Sequence, residues 1–490
     1  MARKRVLIDC YTDEPAGLGV PPFLGTWPRY AAGRYRDRPD YITIDDLRAS
    51  KLKRPLKKRY LHPDSGRSRI DLLNTVKPPE ETRRLLSEAK QLIVIAGVQT
   101  PGKYLSARPG TPEEACELLK PYKGTRILSG PAAEFGSQRF GGQNAEIVKK
   151  GDFQEIRPGD FSYEQISGYA VKGAALLGDI PHKRVLEIET GRGCDRNPGC
   201  SFCTEPLKNS LLWREPHDII REAKELYKYG ARWFRLGKQN CIFGYQNNNI
   251  EKLSSLLSGI SALTPEVFHV DNATPSNVTS KKIKLFQKYL TPGSTAALGV
   301  ESFDPEVAEA NNLNTSFDEV YETIKLFNKY SAERGENGLP FFLPGINLIL
   351  GLTCETEKTL EKNFNALKKI LENGFMLRRI NIRKAVPYPG TDFHKTTGLS
   401  QLKKNSRFYK SFIKKVRREI DRPMLKRVFP EGTVLKNCIS EVSEGNVSFL
   451  RQPGSYPVTV GVRKRLETGR TYNISVTEHG MRSISGKVIN

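Results

Sequence analysis

The sequence predicts an α/β protein: six consecutive strand–helix units, preceded by a smaller α/β layer and followed by a short all-β segment. Three observations carry this. From about Arg184, strand-sized apolar segments alternate regularly with helical stripes; a shorter alternation runs from Val6 to about Ser129; and beyond Gly432 only short β segments remain, separated by turn residues. At 490 residues the chain is too long for one ordinary core, so separate domains are expected. We place a Rossmann-like α/β domain at 1–135, a linker at 136–180, a partial (β/α)6 TIM-type barrel at 181–425 and a small OB-like β-barrel at 430–490.

In the first domain the expected strands are Val6–Ile8, Leu92–Ala96 and Arg126–Leu128, with helices at Glu80–Lys90 and Pro112–Leu119. The turn-rich loop Cys10–Gly19 opens at a strand's C-terminal end, where such sheets bind ligands. Residues 51–69 read as a basic surface stretch, and the Gly, Gln, Lys and Pro of 136–165 show no periodicity, hence the linker. The barrel strands are expected at Arg184–Thr190, Arg232–Leu236, Val267–Asp271, Thr295–Val300, Ile346–Gly351 and Arg379–Arg383. Between them, Ile219, Ile220, Ala223 and Leu226 mark one helix, Ser316 and Glu319 cap a second, and Gly374 closes a third. Five β segments, Thr433–Lys436, Val447–Leu450, Pro457–Gly461, Tyr472–Thr477 and Ser483–Val488, complete the chain.

Charge narrows the partners. Lys and Arg number 78 against 54 Asp and Glu, a formal +24, which favours polyanions such as nucleic acid. The excess is dense on the helical segment Leu402–Arg427, where Lys403, Lys404, Lys410, Lys414, Lys415, Arg417 and Arg418 are candidate RNA contacts. No apolar run reaches membrane-spanning length, and the charged N-terminus has no signal-peptide core, so a cytoplasmic protein without a membrane partner is expected.

The chemistry is expected at Cys194, Cys200 and Cys203, directly after the first barrel strand and therefore at the rim where such barrels carry function. Eight cysteines in so long a chain are no disulfide scaffold. A structural zinc site would need a second Cys/His pair, and none is nearby. Three closely spaced thiolates suit an iron–sulfur cluster with one iron left open.

The stretch Glu189-Thr190-Gly191-Arg192-Gly193-Cys194 to Cys200-Ser201-Phe202-Cys203 resembles the cluster loop of the radical S-adenosylmethionine (radical SAM) superfamily. Its first gap holds five residues where three are usual. The resemblance implies a [4Fe-4S] cluster on Cys194, Cys200 and Cys203, S-adenosyl-L-methionine on the open iron, and a reductant protein. Together these generate a 5′-deoxyadenosyl radical. It extends to Arg235–Gln239, Leu298–Asp304, Asn347–Thr356 and Pro387–Thr391. From these it implies cofactor contacts at Phe202, Gly237, Gln239, Glu301, Ser302, Gly351 and Glu355. The C-terminal segment resembles the TRAM domain of tRNA methylthiotransferases, which implies RNA, above all tRNA, as substrate for methylation or methylthiolation.

The N-terminal domain resembles either the methylthiotransferase domain or a cobalamin-binding one. The first would need three cysteines, and only Cys10 is suitably placed; the second lacks its axial histidine, with His62 alone in a basic stretch. Cobalamin is thus a further cofactor the resemblance admits. The alternatives are a cobalamin-dependent radical SAM methylase of a protein or small molecule, and a non-catalytic RNA-binding metalloprotein.

Overall fold

The computed structural model describes residues 4–11, 24–51, 58–61, 68–71, 74–97, 109–137, 148, 150–159, 161–181 and 183–489. The expectations placed on Thr12–Gly19 and on His62 lie outside these residues. The chain divides into two compact units: Met1–Ile188 with His217–Arg232, and Glu189–Pro216 with Trp233–Asn490.

The first unit is built on five parallel strands: β1 (Arg5–Asp9), β2 (Asp40–Thr43), β3 (Gln91–Ile95), β4 (Thr125–Ser129) and β5 (Glu155–Ile156). Their order is β2-β1-β3-β4-β5. This differs from the Rossmann order, which begins 3-2-1, and is the flavodoxin-like doubly wound order. The reason lies after β2. There, among the described residues, no third strand lies beyond it, and Lys58–Leu61 pairs antiparallel with Ser68–Asp71 instead. The direction of winding reverses between β1 and β3. Val6, Ile8, Leu92, Val94 and Leu128 are buried against Leu47, Leu86 and Leu119 of the covering helices.

The linker expected at 136–180 is partly built structure. Glu155–Ile156 joins the sheet, and Tyr163–Gly173 is a helix opened by a reciprocal Ser162/Gln165 capping box. Its Ile166 and Ala170 bury against Tyr30 and Phe161, which supplies the driving force that composition concealed.

The strand β6 (Leu186–Glu189) runs from the first unit into the second. There the chain continues through β7 (Trp233–Gly237), β8 (Val267–Val270), β9 (Asn272–Ala273), β10 (Ser294–Glu301), β11 (Phe342–Leu350) and β12 (Arg379–Lys384). Strands β7–β8 and β9-β10-β11-β12 are parallel, with helices between them as a partial TIM-type barrel requires. β8 and β9 interrupt one strand at Asp271, whose carbonyl still accepts from Ala297 N at 3.1 Å.

The basic helical segment divides into α1 (Ser400–Val416), a π-helical turn at Arg417–Asp421 and α2 (Arg422–Val428), with Pro423 in the first turn of α2. Proline offers no N–H to this continuous helical ladder, and the π-helical turn lies directly before it, with Arg422 N donating to Arg417 O. The chain ends in a closed five-stranded barrel: β13 (Val434–Glu444), β14 (Val447–Arg451), β15 (Thr459–Val462), β16 (Thr471–His479) and β17 (Ser483–Ile489). No helix among the described residues is long and apolar enough to cross a membrane.

Candidate active site

The cysteine loop is tied at its neck. Gly191–Arg192 pairs antiparallel with Leu212–Trp213, and Arg214 N donates to Thr190 O at 3.0 Å. Gly193, at φ +79°, packs so closely that an added Cβ would lie 2.3 Å from Ser210 O. Its N–H donates to Glu205 Oε1 at 2.8 Å. Ser201 anchors the far side: its N–H donates to Asn311 O at 3.0 Å, its hydroxyl to Asn311 Oδ1 at 2.8 Å, and its carbonyl accepts from Phe393 N at 2.9 Å.

These ties leave the three thiols free and only partly exposed. Each receives a hydrogen bond: Asn240 Nδ2 to Cys194 Sγ at 3.4 Å, Arg196 NH1 to Cys200 Sγ at 3.0 Å, and Glu205 N to Cys203 Sγ at 3.4 Å. Burial pushes the Cys203 thiol up to about 12, and the charges of Cys200 and Cys194 add to the shift. Cys200 is also raised, by burial first, against the opposing pull of Arg196. With burial raising Cys200 and Cys203 and an N–H donor aimed at each of the three sulfurs, a bound cation would favour the thiolate form of those two. Among the described residues no three His, Cys, Asp or Glu side chains stand at metal-ligating separation, so the cysteine loop is not a closed metal cage. Its chemistry fits a thiolate-held cluster.

The strand ends complete the rim. After β7, Lys238 takes φ +69° and Gln239 turns inward, where its Oε1 accepts from Thr190 Oγ1 at 3.0 Å and its buried Nε2 has no hydrogen-bond partner among the described residues. That orphaned amide is a ready donor to an acceptor on a bound cofactor. At the end of β10, Glu301 sits at φ +62° beside a register shift. Burial raises its carboxyl to about 7, opposed by Arg383 and Arg196. Phe202 is half-buried beside Cys203, and Gly237 is buried.

Three further expected cofactor contacts, Ser302, Gly351 and Glu355, also take part in structural contacts. Ser302 Oγ accepts from Asp304 N at 3.2 Å. Glu355, 1% exposed, accepts from Gly351 N at 2.9 Å, Asn405 Nδ2 at 3.2 Å and Tyr409 OH at 2.6 Å, and so fastens α1 to the end of β11. Gly351, at φ +87°, is needed because a Cβ would meet Leu402 Cγ at 2.3 Å. Of the basic candidates, Lys403, Lys404, Lys410, Lys414 and Lys415 are exposed. Arg418 is paired with Glu419 at 2.5 Å, whereas Arg417 is half-buried, donates to Ile380 O at 3.0 Å and pairs with Asp421. Sequence reasoning missed Asn240, Arg196 and Asn311; their proximity to the loop comes from tertiary placement, and only Arg196 lies within the loop itself.

Residues 188–367 match the model of the Radical SAM superfamily, and the chain is a radical SAM enzyme. Within that superfamily it belongs to the family of an uncharacterized protein of Methanocaldococcus jannaschii, which is 39% identical over 100% of this chain and 94% of that one. The tRNA-2-methylthio-N(6)-dimethylallyladenosine synthase of Aquifex aeolicus is 24% identical over 50% of this chain and 58% of its own. Among solved structures, the radical S-adenosylmethionine methyltransferase TsrM of Kitasatospora setae, with cobalamin and a [4Fe-4S] cluster bound, aligns over 80% of this chain and 74% of its own. The identity there is 12% and the TM-score 0.47.

Proposed function

We propose that this enzyme is a radical SAM transferase that methylates or methylthiolates RNA, above all tRNA. The observation that carries the substrate class is the row of exposed cations on α1, Lys403, Lys404, Lys410 and Lys414, on the same unit as the cysteine loop and the closed β-barrel. That barrel is TRAM-like in this reading, and the Aquifex relative's name supports the same class. Cys194, Cys200 and Cys203 hold the [4Fe-4S] cluster, which supplies reductive cleavage of S-adenosylmethionine when reduced by a partner protein. Arg196 and Asn240 hold the thiolates of Cys200 and Cys194 by charge-assisted hydrogen bonds. Gln239 offers its free amide to the cofactor, and Glu301 lines the rim as a carboxyl that is readily protonated. Nucleoside mass spectrometry of total RNA from cells with and without the protein tests this: one modified nucleoside should vanish, and an unchanged profile contradicts it.

A second reading, a cobalamin-dependent methylase of a protein or small molecule, is favoured by the first unit. Its sheet reverses direction between β1 and β3, and ligands bind such sheets beyond the strand ends at that point. Arg184, 3% exposed and close enough to Tyr11 and Tyr41 to oppose their raised pKa values, has no hydrogen-bond partner for any guanidinium nitrogen among the described residues. An orphaned buried cation suits a ligand phosphate, such as the one cobalamin carries. A corrinoid absorbance that survives desalting in wild type and is lost in Arg184→Gln would support this reading; no retained corrinoid would remove it.

A further inference from the structure

A closed circuit of hydrogen bonds ties the cysteine loop to the segments that follow β10, β11 and β12. The Ser201 hydroxyl donates to Asn311 Oδ1 at 2.8 Å, and Asn311 Nδ2 donates onward to Thr353 O at 3.0 Å. The Thr353 and Thr397 hydroxyls meet at 2.7 Å. Thr397 N donates to Phe393 O at 3.0 Å, and Phe393 N returns to Ser201 O at 2.9 Å. Ser201 lies between Cys200 and Cys203, Asn311 ends the short helix Pro305–Ala310 after β10, and Thr353 follows Gly351 at the end of β11. Phe393 belongs to the turn of helix Asp392–Thr396 after β12. The loop that carries the sulfurs and the strand ends that carry expected cofactor contacts thus share one frame.

Asn311 is the hub of this circuit and is fully buried. Besides the bonds above, its Oδ1 accepts from Thr353 N at 3.3 Å, its Nδ2 donates to Val307 O at 2.8 Å, and its carbonyl accepts from Ser201 N at 3.0 Å. A side-chain amide fits because it offers two acceptor lone pairs and two donors from one plane. A carboxylate would face the Val307 and Thr353 carbonyls with no donor, and an apolar side chain would strand the Ser201 hydroxyl, at the cost of a buried unpaired group. The same pattern recurs at Asn328, whose Nδ2 donates to Ile324 O at 2.9 Å and Met376 O at 3.1 Å and whose Oδ1 accepts from Met376 N at 2.7 Å. There the amide joins a helix to the approach to β12. At Asn311 two further bonds run to the cysteine loop, and these separate its role from a brace of the fold.

We propose that Asn311 is a positioning residue of the radical SAM reaction: through Ser201 and Thr353 it fixes the cysteine loop against the ends of β10 and β11, so that cluster and cofactor keep one spacing. This rests on the reading that Cys194, Cys200 and Cys203 hold the cluster. The spacing matters because a displacement of about 1 Å between reacting groups can cost about a hundredfold in rate.

The test reconstitutes wild type, Asn311→Ala, Asn311→Asp, Ser201→Ala and Asn328→Ala anaerobically and makes two measurements. One is the rate of iron release to a chelator; the other is the S-adenosylmethionine concentration that half-saturates the change in the cluster's paramagnetic resonance spectrum. Asn311→Ala should raise both roughly tenfold. Asn311→Asp keeps the acceptor for Ser201 and should fall between wild type and Asn311→Ala. Asn328→Ala should melt at a lower temperature yet match wild type in both measurements. Wild-type values for Asn311→Ala in either measurement overturn the proposal, and so does Asn328→Ala behaving as Asn311→Ala does. If Asn311→Ala fails to fold, Ser201→Ala, which removes one hydroxyl bond, decides: values roughly fivefold above wild type support the proposal and wild-type values overturn it. If wild type takes up no iron, the cluster reading falls, and hydrogen exchange in the metal-free protein decides the positioning alone. Faster exchange of the Ser201 and Phe393 amides in Asn311→Ala than in wild type and Asn328→Ala supports it, and no difference overturns it.

Discussion

Tyr409→Phe tests how the basic helix is held. The substitution keeps the ring and removes one hydroxyl, the 2.6 Å donor to Glu355 Oε1, so that this oxygen keeps only Asn405 Nδ2 at 3.2 Å. A hydrogen bond to a buried charge is worth about 1.5–3 kcal/mol, and no cavity term of any size is added. The pH dependence fixes the sign. Burial raises the Glu355 pKa in the folded chain, and Tyr409 opposes that shift. A carboxyl with a raised folded pKa contributes stability below its ordinary range and loses it as pH rises through the folded value. Removing the hydroxyl raises that value further and carries the loss to higher pH. The deficit of the variant should therefore be larger at neutral pH than at a pH within the ordinary carboxylate range, towards which protonation relieves the stranded carboxylate. Urea unfolding followed by circular dichroism at both pH values measures it. Equal deficits at the two pH values, or one below about 0.5 kcal/mol throughout, would refute the assignment of Glu355 as the anchor of α1.

Other outcomes follow from the same contacts. Gly193→Ala should lower iron retention, because its Cβ would collide with Ser210 O at 2.3 Å in a left-handed backbone; iron assay after reconstitution checks it. Arg196→Gln should keep the cluster but lower its reduction potential, since a cation and an N–H donor to Cys200 Sγ are removed; redox titration followed by paramagnetic resonance reads the shift. Glu222→Ala should destabilise the first unit by about 3–5 kcal/mol, as it strands Arg29 in a pair with no exposure on either side; thermal denaturation shows it.

The parts of the fold that repeat a local pattern were legible in the sequence. The six barrel strands follow from apolar runs between helical stripes, and Ser316 caps its helix through Glu319 N at 3.2 Å. The small β-barrel was readable from its turns, and its closure is confirmed by pairing alone. What escaped depends on distant partners. Asp40–Thr43 is too short and polar at its start to read as a strand, and it gains that identity only by pairing with β1. The Tyr163–Gly173 helix hid in a stretch without strong periodicity. At the site, the three cysteines are a sequence signal, whereas Glu355 carries the acidic residue of an expected motif but turns to partners fifty residues on. Arg417 belonged to a row of cations, and only the π-helical turn shows that it faces Asp421 instead of open solvent.

The central claim is that Cys194, Cys200 and Cys203 together hold one iron–sulfur cluster that cleaves S-adenosylmethionine. Anaerobic reconstitution with metal and sulfide analysis, followed by assay for 5′-deoxyadenosine, tests it most directly. Wild type should bind about four irons and four sulfides per chain and release 5′-deoxyadenosine under reduction, while Cys200→Ala should lose both. Zinc in place of iron, or a Cys200→Ala protein that keeps its cluster and its activity, would contradict it.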